Sequence, residues 1–366
     1  MRLFFSLFLF IFLSIGTKAQ TSPSYTWHNP LETVRILDGQ GWADIGYHRF
    51  PDKAENLVRQ AVWNLSKNAA GLSISFSSNS EKIRVEYEVS GGMGMHHMPA
   101  TGVSGVDLYV KKGAEWLWSR GRFNFKDSQI TYEFTVDNPN NGEANFKLFL
   151  PLYNTVSNLK VGVLEGSELR FLNPDKQKPI VVYGTSIAQG ACASRPGMAW
   201  TNILSRILNT PIINLGFSGN GRLEAEVIEL LAEIDPSIYI LDCLPNLSPN
   251  EKRTKEEIQR RINNSVLRLR EKRPNASILL VHHAGYSDGH VDKQRKVVYE
   301  TLNSWMSEAF TALKSMGIKN LFLLSNDDIG LTNDAFVDGT HPTDLGMQQY
   351  ANAYGKALLN ITKENQ

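Results

Sequence analysis

The periodicity of apolar residues changes abruptly near Asn173. Upstream of this residue, short runs alternate apolar with polar side chains and are separated by polar turns, which is typical of strands with one buried face. Downstream, short continuous apolar runs alternate with segments of helical periodicity, which is typical of a parallel sheet covered by helices on both faces. The sequence therefore predicts two domains of different class, in keeping with a length of 366 residues.

The upstream half is predicted to be an all-β sandwich or jelly roll. Its clearest alternating runs are Leu72–Phe76, Ile83–Val89, Val106–Val110, Ile130–Val136 and Asn145–Leu150. No convincing amphipathic helix is expected in this half.

The downstream half is predicted to be an α/β domain with a five-stranded parallel sheet. The expected strands are Pro179–Tyr183, Ile212–Leu215, Ser237–Leu241, Ser277–Val281 and Asn320–Leu324. The expected helices are Met198–Leu208, Leu223–Ile234, Glu251–Lys272, Val291–Met316 and Leu345–Leu359. The polar segment Asn173–Lys178 is the expected linker between the halves.

Residues 1–19 are predicted to be a signal peptide. Arg2 provides the positive start, Leu3–Gly16 is almost entirely apolar, and cleavage is expected after Ala19. The apolar run is shorter than the roughly 20 residues that span a bilayer, and an uncleaved anchor is the alternative. The expected organisation is a signal peptide (1–19), a β-domain (20–174) and a catalytic α/β domain (175–366). The mature protein is expected to be secreted or periplasmic, with no membrane span.

Charge and cysteine content exclude several classes of protein. Lys and Arg number 38 and Asp and Glu number 37, so the net charge of +1 predicts no nucleic acid partner. Two cysteines are too few for a disulfide scaffold or a four-cysteine zinc site. The sequence predicts no particular oligomeric state.

Polar residues that could carry a reaction follow the predicted strands. Ser186 follows the first strand, at the start of a helix, and Asp338 and His341 follow the fifth. Because the carboxyl ends of parallel strands meet at one edge of a sheet, these side chains are expected to lie together. A serine, a base and an acceptor that orients the base form the machinery of acyl transfer through a serine.

An oxyanion hole is expected from the loops after the second and third strands. The loop 214–221 can present the Gly219 N–H, and the next loop offers the Asn246 amide. With the Ser186 N–H, these donors would bind the charged oxygen that forms when an ester is attacked. The alternatives are structural, with Ser186 and Asp338 as helix caps and the other two as turn residues.

The order of these residues resembles the SGNH (GDSL-like) hydrolase family over about residues 178–360. Four blocks match in order, namely Gly184-Thr-Ser186, Gly219, Asn246 and the Asp-x-x-His-Pro block at 338–342. The first block has Thr where the family has Asp, and only the Asn of the third block carries over. The resemblance implies a flavodoxin-like three-layer α/β sandwich and ester hydrolysis without a metal or another cofactor.

Gly105–Tyr109 reads Gly-Val-Asp-Leu-Tyr and resembles the Gly-x-Asp-Leu-Tyr motif of a β-domain that precedes a subset of SGNH hydrolases. Several carbohydrate esterases that remove acetyl groups from plant polysaccharides share this arrangement, which is a likeness of architecture only. Six side chains are candidate substrate contacts: His96 and His97 on a Met-rich loop, Asp107, Tyr109, Arg195 and His283.

The cysteines and the paired histidines each have two interpretations. The strands that lead to Cys192 and Cys243 are expected to be neighbours, so a disulfide beside the nucleophile is expected, with two buried free thiols as the alternative. Adjacent residues on a strand point to opposite faces, so His282 and His283 are not expected to share a metal ion.

The sequence thus predicts an exported serine esterase for short acyl esters, most of all O-acetyl groups on carbohydrates. The expected partner is a small-molecule or glycan ester. A lipase, lysophospholipase or thioesterase of the same fold is one alternative. A non-catalytic carbohydrate-binding protein is another.

Overall fold

The computed structural model describes residues 23–33, 36–137 and 142–364, and the predicted signal peptide lies outside them. The described chain before the linker forms strands β1 (Tyr25–His28), β2 (Leu37–Asp38), β3 (Ser73–Ser78), β4 (Lys82–Glu88), β5 (Asp107–Lys112), β6 (Glu115–Ser119), β7 (Gly121–Lys126), β8 (Gln129–Thr135), β9 (Ala144–Phe149), β10 (Ser157–Leu164) and β11 (Leu169–Phe171). It also forms two short helices, α1 (Gln60–Ser66) and α2 (Ala100–Val103).

These strands form two antiparallel sheets, which confirms the predicted β-domain. One sheet has the order β1-β10-β4-β8-β7. The other has the order β11-β3-β9-β5-β6, with β2 paired to β3. The alternation expected of strands with one buried face is clearest in β4, where Ile83, Val85 and Tyr87 are buried in the core that also holds Phe76 of β3.

The remaining chain alternates strands with helices. The strands are β12 (Ile180–Gly184), β13 (Ile212–Gly216), β14 (Ile238–Asp242), β15 (Ser277–Val281) and β16 (Leu321–Leu324). The helices are α3 (Ser186–Gln189), α4 (Trp200–Leu208), α5 (Ala225–Glu233), α6 (Lys255–Lys272), α7 (Lys293–Ser315), α8 (Asn326–Ile329) and α9 (Asp344–Glu364). Single 3₁₀ turns occupy Pro30–Glu32, Asp52–Asn56, Pro196–Met198, Leu244–Asn246, Ser287–His290 and Asn333–Ala335.

The five strands pair in parallel in the order β13-β12-β14-β15-β16. Residues of α5, α6 and α7 join the core on one face of the sheet, and residues of α4 and α9 join the core on the other. This is the three-layer α/β sandwich that the resemblance implied. Strand β12 lies between β13 and β14, so the strand that follows it in the chain pairs with one of its edges and the next strand pairs with the other. Groups at the carboxyl end of β12 therefore stand at the crevice where ligands bind in open α/β sheets.

The expectation that the upstream half has no amphipathic helix was wrong. Helix α1 buries Val62 and Trp63, and these side chains, with Phe50, pack in the core of the α/β sheet. Seven residues are too few for a clear helical period, and the buried face rests on the other half of the molecule. None of the helices in the described part of the chain combines the length and apolar content that crossing a membrane requires.

Arg49 ties this upstream segment to the parallel sheet. Its guanidinium group is fully buried and donates to the carbonyl oxygens of Gly216 (2.6 Å), Leu65 (2.6 Å), Asn68 (2.9 Å) and Asn214 (3.2 Å). Two of these carbonyls belong to β13 and two to the upstream half. The cation thus provides hydrogen bonds to backbone carbonyl groups of both halves in the buried region where the halves meet.

Removing the guanidinium should therefore destabilise the fold. We expect Arg49→Ala to lower the free energy of unfolding by about 3–5 kcal/mol, because it leaves several buried carbonyl groups unpaired. The exposed Arg122→Ala on β7 is the matched control and should change it by about 0.5 kcal/mol or less. Chemical denaturation measures both, and an Arg49→Ala effect no larger than the control would contradict the assigned role.

Candidate active site

The predicted nucleophile, Ser186, lies at the turn between β12 and α3. Thr185 caps α3 by accepting a hydrogen bond from the Ile187 N–H (3.3 Å), which places Ser186 as the first helical residue. Asp and Thr both serve as N-caps, so Thr185 can take the position at which the family pattern has Asp. A Cβ on Gly184 would lie 2.6 Å from the Ala188 Cβ, so the turn needs a glycine there.

The structure brings Ser186, His341 and Asp338 into one hydrogen-bonded chain. His341 Nδ1 lies 2.8 Å from Asp338 Oδ2, and His341 Nε2 lies 2.8 Å from Ser186 Oγ. An ionised carboxylate can only accept, so Nδ1 carries the hydrogen and Nε2 accepts from the serine hydroxyl. This is the arrangement in which an imidazole can take the serine proton.

Asp338 is held as an ionised acceptor by its own turn. Oδ1 accepts from the backbone N–H groups of His341 (2.8 Å) and Thr340 (3.0 Å). Burial alone would raise the pKa of Asp338, but hydrogen bonds from His341 and Thr340 and the attraction of the imidazole outweigh it and lower the pKa to about 2. The carboxylate is therefore charged at neutral pH.

Two backbone donors near the nucleophile are free. Among the described residues, neither the Ser186 N–H nor the Gly219 N–H has an acceptor. Gly219 has φ +67°, a conformation that favours glycine, and open space lies where its Cβ would be. The Asn246 amide is directed at the backbone of the same loop, 3.2 Å from Gly221 O. The two backbone N–H groups are therefore available as the predicted oxyanion-hole donors. The Asn246 amide hydrogen-bonds within the loop that carries Gly219, and its role as a third donor stays a prediction.

A second layer of contacts supports the catalytic turn. Arg295 of α7 donates to Gly339 O (3.2 Å), Thr340 Oγ1 (3.0 Å) and Asp288 Oδ1 (2.6 Å), and its guanidinium lies 3.9 Å from the centre of the Tyr286 ring. Arg295 was not predicted from the sequence, because it lies on helix α7, more than 40 residues before the turn at 338–341, and no motif spacing connects the two.

The β-domain also contributes to the surroundings of the nucleophile. Tyr153 donates through its hydroxyl to the Ser186 carbonyl oxygen (3.2 Å). Both histidines of the Met-rich loop are exposed, but the ring centre of His97 lies 5.7 Å from that of His341, and no such ring contact joins His96 to His341. Of the two histidines predicted on the Met-rich loop, His97 is therefore the one placed beside the triad.

The Gly-x-Asp-Leu-Tyr motif joins the two domains. The Asp107 carboxylate is buried and accepts from Arg195 Nη1 (2.8 Å), the Gly197 N–H (2.7 Å) and Trp118 Nε1 (3.0 Å). Arg195 also donates to the Tyr109 hydroxyl (2.8 Å). Asp107 and Tyr109 are buried and pair with Arg195, so neither is placed to touch a substrate as expected, whereas the substrate contact expected of the partly exposed Arg195 stays a prediction.

Comparison with known proteins supplies the family. The model of the GDSL-like Lipase/Acylhydrolase family matches residues 177–359. The N-terminus of Esterase_SGNH_hydro-type matches residues 25–169. A protein of Bacteroides ovatus described as a GDSL-like lipase is 33% identical, with a TM-score of 0.84 over 93% of this chain and 98% of that one. The chain belongs to the GDSL-like lipase/acylhydrolase family.

More distant structures share the fold of this GDSL-like protein. The salicylyl-acyltransferase SsfX3 from a tetracycline biosynthetic pathway is 16% identical, with a TM-score of 0.73 over 92% of this chain and 98% of that one. A family two carbohydrate esterase from Cellvibrio japonicus is 15% identical, with a TM-score of 0.54 over 80% and 90%. A search of curated proteins finds no match.

His283 is corrected from a substrate contact to a buried structural residue. Its Nδ1 accepts a hydrogen bond from the Gly285 N–H (3.0 Å). Its ring packs against the Tyr286 ring, with 4.5 Å between the ring centres. Burial, with a smaller contribution from the positive charge of Arg295, lowers the pKa of His283 to about 3. The imidazole is therefore neutral in the folded GDSL-like protein.

The disulfide expected between Cys192 and Cys243 is not formed, and both cysteines are buried free thiols. Cys243 Sγ lies 3.5 Å from the Tyr183 carbonyl oxygen, within the core beneath the sheet. Cys192 Sγ instead stands within 4.8 Å of ring nitrogens of His97 and His341. The two sulfurs thus have separate surroundings, although the strands that lead to them are neighbours.

Removing either end of the hydrogen-bonded chain should abolish turnover. We expect Ser186→Ala to lower kcat for p-nitrophenyl acetate about ten-thousandfold or more, and Asp338→Asn to have an effect of similar order because it favours the wrong imidazole tautomer. Ser315→Ala on the exposed surface of α7 is the control and should match the wild type. Unchanged rates in Ser186→Ala would rule out this serine as the nucleophile.

The neutral state of His283 should make stability depend on pH. The unfolded histidine takes a proton below about pH 6.5 and the folded one does not, so the contribution to stability is present above that pH and is lost as the pH falls toward 3. Between pH 7 and 4.5 we expect wild type to lose about 2–3 kcal/mol more unfolding free energy than His283→Gln.

Denaturant titrations at the two pH values measure this difference. The exposed His290→Gln is the control and should retain the wild-type slope. Equal slopes in wild type and His283→Gln would show that the buried histidine is protonated in the folded state.

Proposed function

We propose that this protein is an exported serine esterase that removes short acyl groups, above all O-acetyl groups, from carbohydrates. The observation that carries the proposal is the continuous chain of hydrogen bonds from Asp338 through His341 to Ser186, with the Ser186 and Gly219 N–H groups free beside it. A weak nucleophile, a fixed base and unoccupied donors are together what acyl transfer requires.

The reaction proceeds in two balanced halves. His341 Nε2 takes the Ser186 proton as Oγ bonds to the ester carbonyl carbon, and the Ser186 and Gly219 N–H groups bind the resulting oxyanion. The intermediate collapses, the imidazolium returns the proton to the leaving alcohol, and an acyl-serine remains. Water then attacks in the same manner, and the carboxylic acid and the free serine are released. Asp338 stays ionised and stabilises the imidazolium in both halves.

Short acyl groups are favoured by the crowding around the nucleophile. Ser186 is 7% exposed, and His97 and Cys192 both stand close to His341. A small acyl group needs little space beyond the carbonyl, whereas a long chain needs an apolar channel that leads away from Ser186.

The carbohydrate part of the proposal is supported by analogy. The predicted signal peptide places the protein where glycans are found, and family two carbohydrate esterases share the fold of both halves. One such esterase, from Clostridium thermocellum, is known in complex with cellohexaose. The Bacteroides ovatus relative described as a GDSL-like lipase favours a second candidate, a lipase with the same triad.

Two substrate series test the proposal. Acetate release from acetylated xylan, acetylated glucomannan and acetylated monosaccharides should be measured for wild type, with Ser186→Ala as the blank. p-Nitrophenyl esters from acetate to palmitate give the acyl preference. We expect acetate release that Ser186→Ala lacks, and kcat/KM highest for acetate. Faster turnover of the long-chain esters would favour the lipase, and no hydrolysis of any ester would contradict the enzyme.

A further inference from the structure

Three side chains that bind transition metals converge at the mouth of the candidate site. One ring nitrogen of His97, the Sγ atom of Cys192 and one ring nitrogen of His341 all lie within 4.8 Å of one another. They come from three distant segments, namely the Met-rich loop of the β-domain, the loop after α3 and the catalytic turn. Their meeting is therefore a product of the assembled fold and of both domains.

The triad itself prepares His341 as a metal ligand. Its Nδ1 is held by Asp338 Oδ2 at 2.8 Å, so the nitrogen that can bind a metal is Nε2, which a metal ion would take over from the Ser186 hydroxyl that lies 2.8 Å away. A carboxylate that fixes the tautomer of a histidine in this way is the usual second layer of a zinc site. The same hydrogen bond thus makes His341 both a base toward Ser186 and a donor toward a metal.

The kind of ion follows from the donor atoms. Two imidazole nitrogens and one thiolate suit Zn²⁺, which binds Cys and His in tetrahedral sites, and do not suit Mg²⁺ or Ca²⁺, which require oxygen ligands. Ser186 Oγ, 2.8 Å from His341 Nε2, or a water molecule is at hand for the fourth position. His97 is exposed, so an ion can reach the three ligands from solvent.

The backbone conformation of Cys192 is unusual for a residue other than glycine. Its φ is +69°, in the left-handed region that residues other than glycine rarely adopt. The side chain is nevertheless placed against the two histidines and away from the core that holds Cys243.

We propose that His97, Cys192 and His341 form a zinc site that switches off the esterase. Coordination occupies the His341 Nε2 lone pair, so that the imidazole can no longer accept the Ser186 proton. The thiol of Cys192 releases its proton to solvent as the Zn–S bond forms, and no electron transfer is involved. The inhibition rests on the proposed function, whereas the binding of zinc does not.

Calorimetric titration of the purified protein with Zn²⁺ tests the site. We expect one ion per chain, and an affinity weakened at least about tenfold in Cys192→Ser and in His97→Gln. His96→Gln removes the adjacent exposed histidine and is the matched control, with the wild-type affinity. Thermal melting of the apo forms establishes that each variant folds, and His97→Gln changes only an exposed side chain.

Two further measurements distinguish this site from chance binding and from failure of the proposed function. Co²⁺ in place of Zn²⁺ should give a thiolate-to-cobalt absorption band in wild type and in His96→Gln that Cys192→Ser lacks. Zinc should inhibit hydrolysis of p-nitrophenyl acetate, a chelator should reverse the effect, and Cys192→Ser should need at least about tenfold more zinc for the same fractional inhibition.

Equal zinc affinity in wild type, Cys192→Ser and His97→Gln, or absence of the cobalt band, would overturn the site. Zinc that binds through Cys192 without slowing turnover would overturn the switch. An absence of esterase activity would contradict the proposed function alone, because calorimetry and the cobalt spectrum need no turnover.

Discussion

The Asp338 carboxylate is the acceptor on which the geometry of the site depends. One oxygen closes the turn by accepting two backbone N–H groups, and the other fixes the tautomer of His341. These hydrogen bonds all lie within residues 338–341. The orientation of the His341 imidazole is therefore set by local structure. The parallel sheet then needs only to bring Ser186 within 2.8 Å of Nε2, which the turn after β12 achieves at the crevice of the sheet.

The two domains act as one structural unit around this turn. Arg49 joins the upstream segment to β13, the Asp107–Arg195 ion pair joins β5 to the loop after α3, and Tyr153 contacts the nucleophile directly. Charges buried in this way are costly unless they are paired or hydrogen-bonded, so the interface tolerates few relative positions of the two halves. That restriction brings the ring of His97 in the β-domain to within 5.7 Å of the ring of His341 in the α/β domain, measured between ring centres.

The parts of the structure predicted from the sequence are those encoded by local pattern. Strands β12 to β16, the helices between them and the approach of Asp338 to His341 follow from apolar periodicity and from spacing within one turn. The interface could not be predicted in this way. Asp107 and Arg195 are separated by 88 residues, and their pairing depends on packing between domains. The surroundings of Cys192 could not be predicted either, because they are set by tertiary contacts. The adjacency of the strands that lead to Cys192 and Cys243 therefore did not imply a disulfide.

The central claim is that Ser186 is a nucleophile activated by His341. Labelling of the folded wild-type protein with a fluorophosphonate, followed by peptide mass spectrometry, tests it most directly, because the probe reacts only with a serine that a base has activated. The account predicts a single adduct, on Ser186. A folded protein that takes no label, or takes it on another residue, would contradict the account.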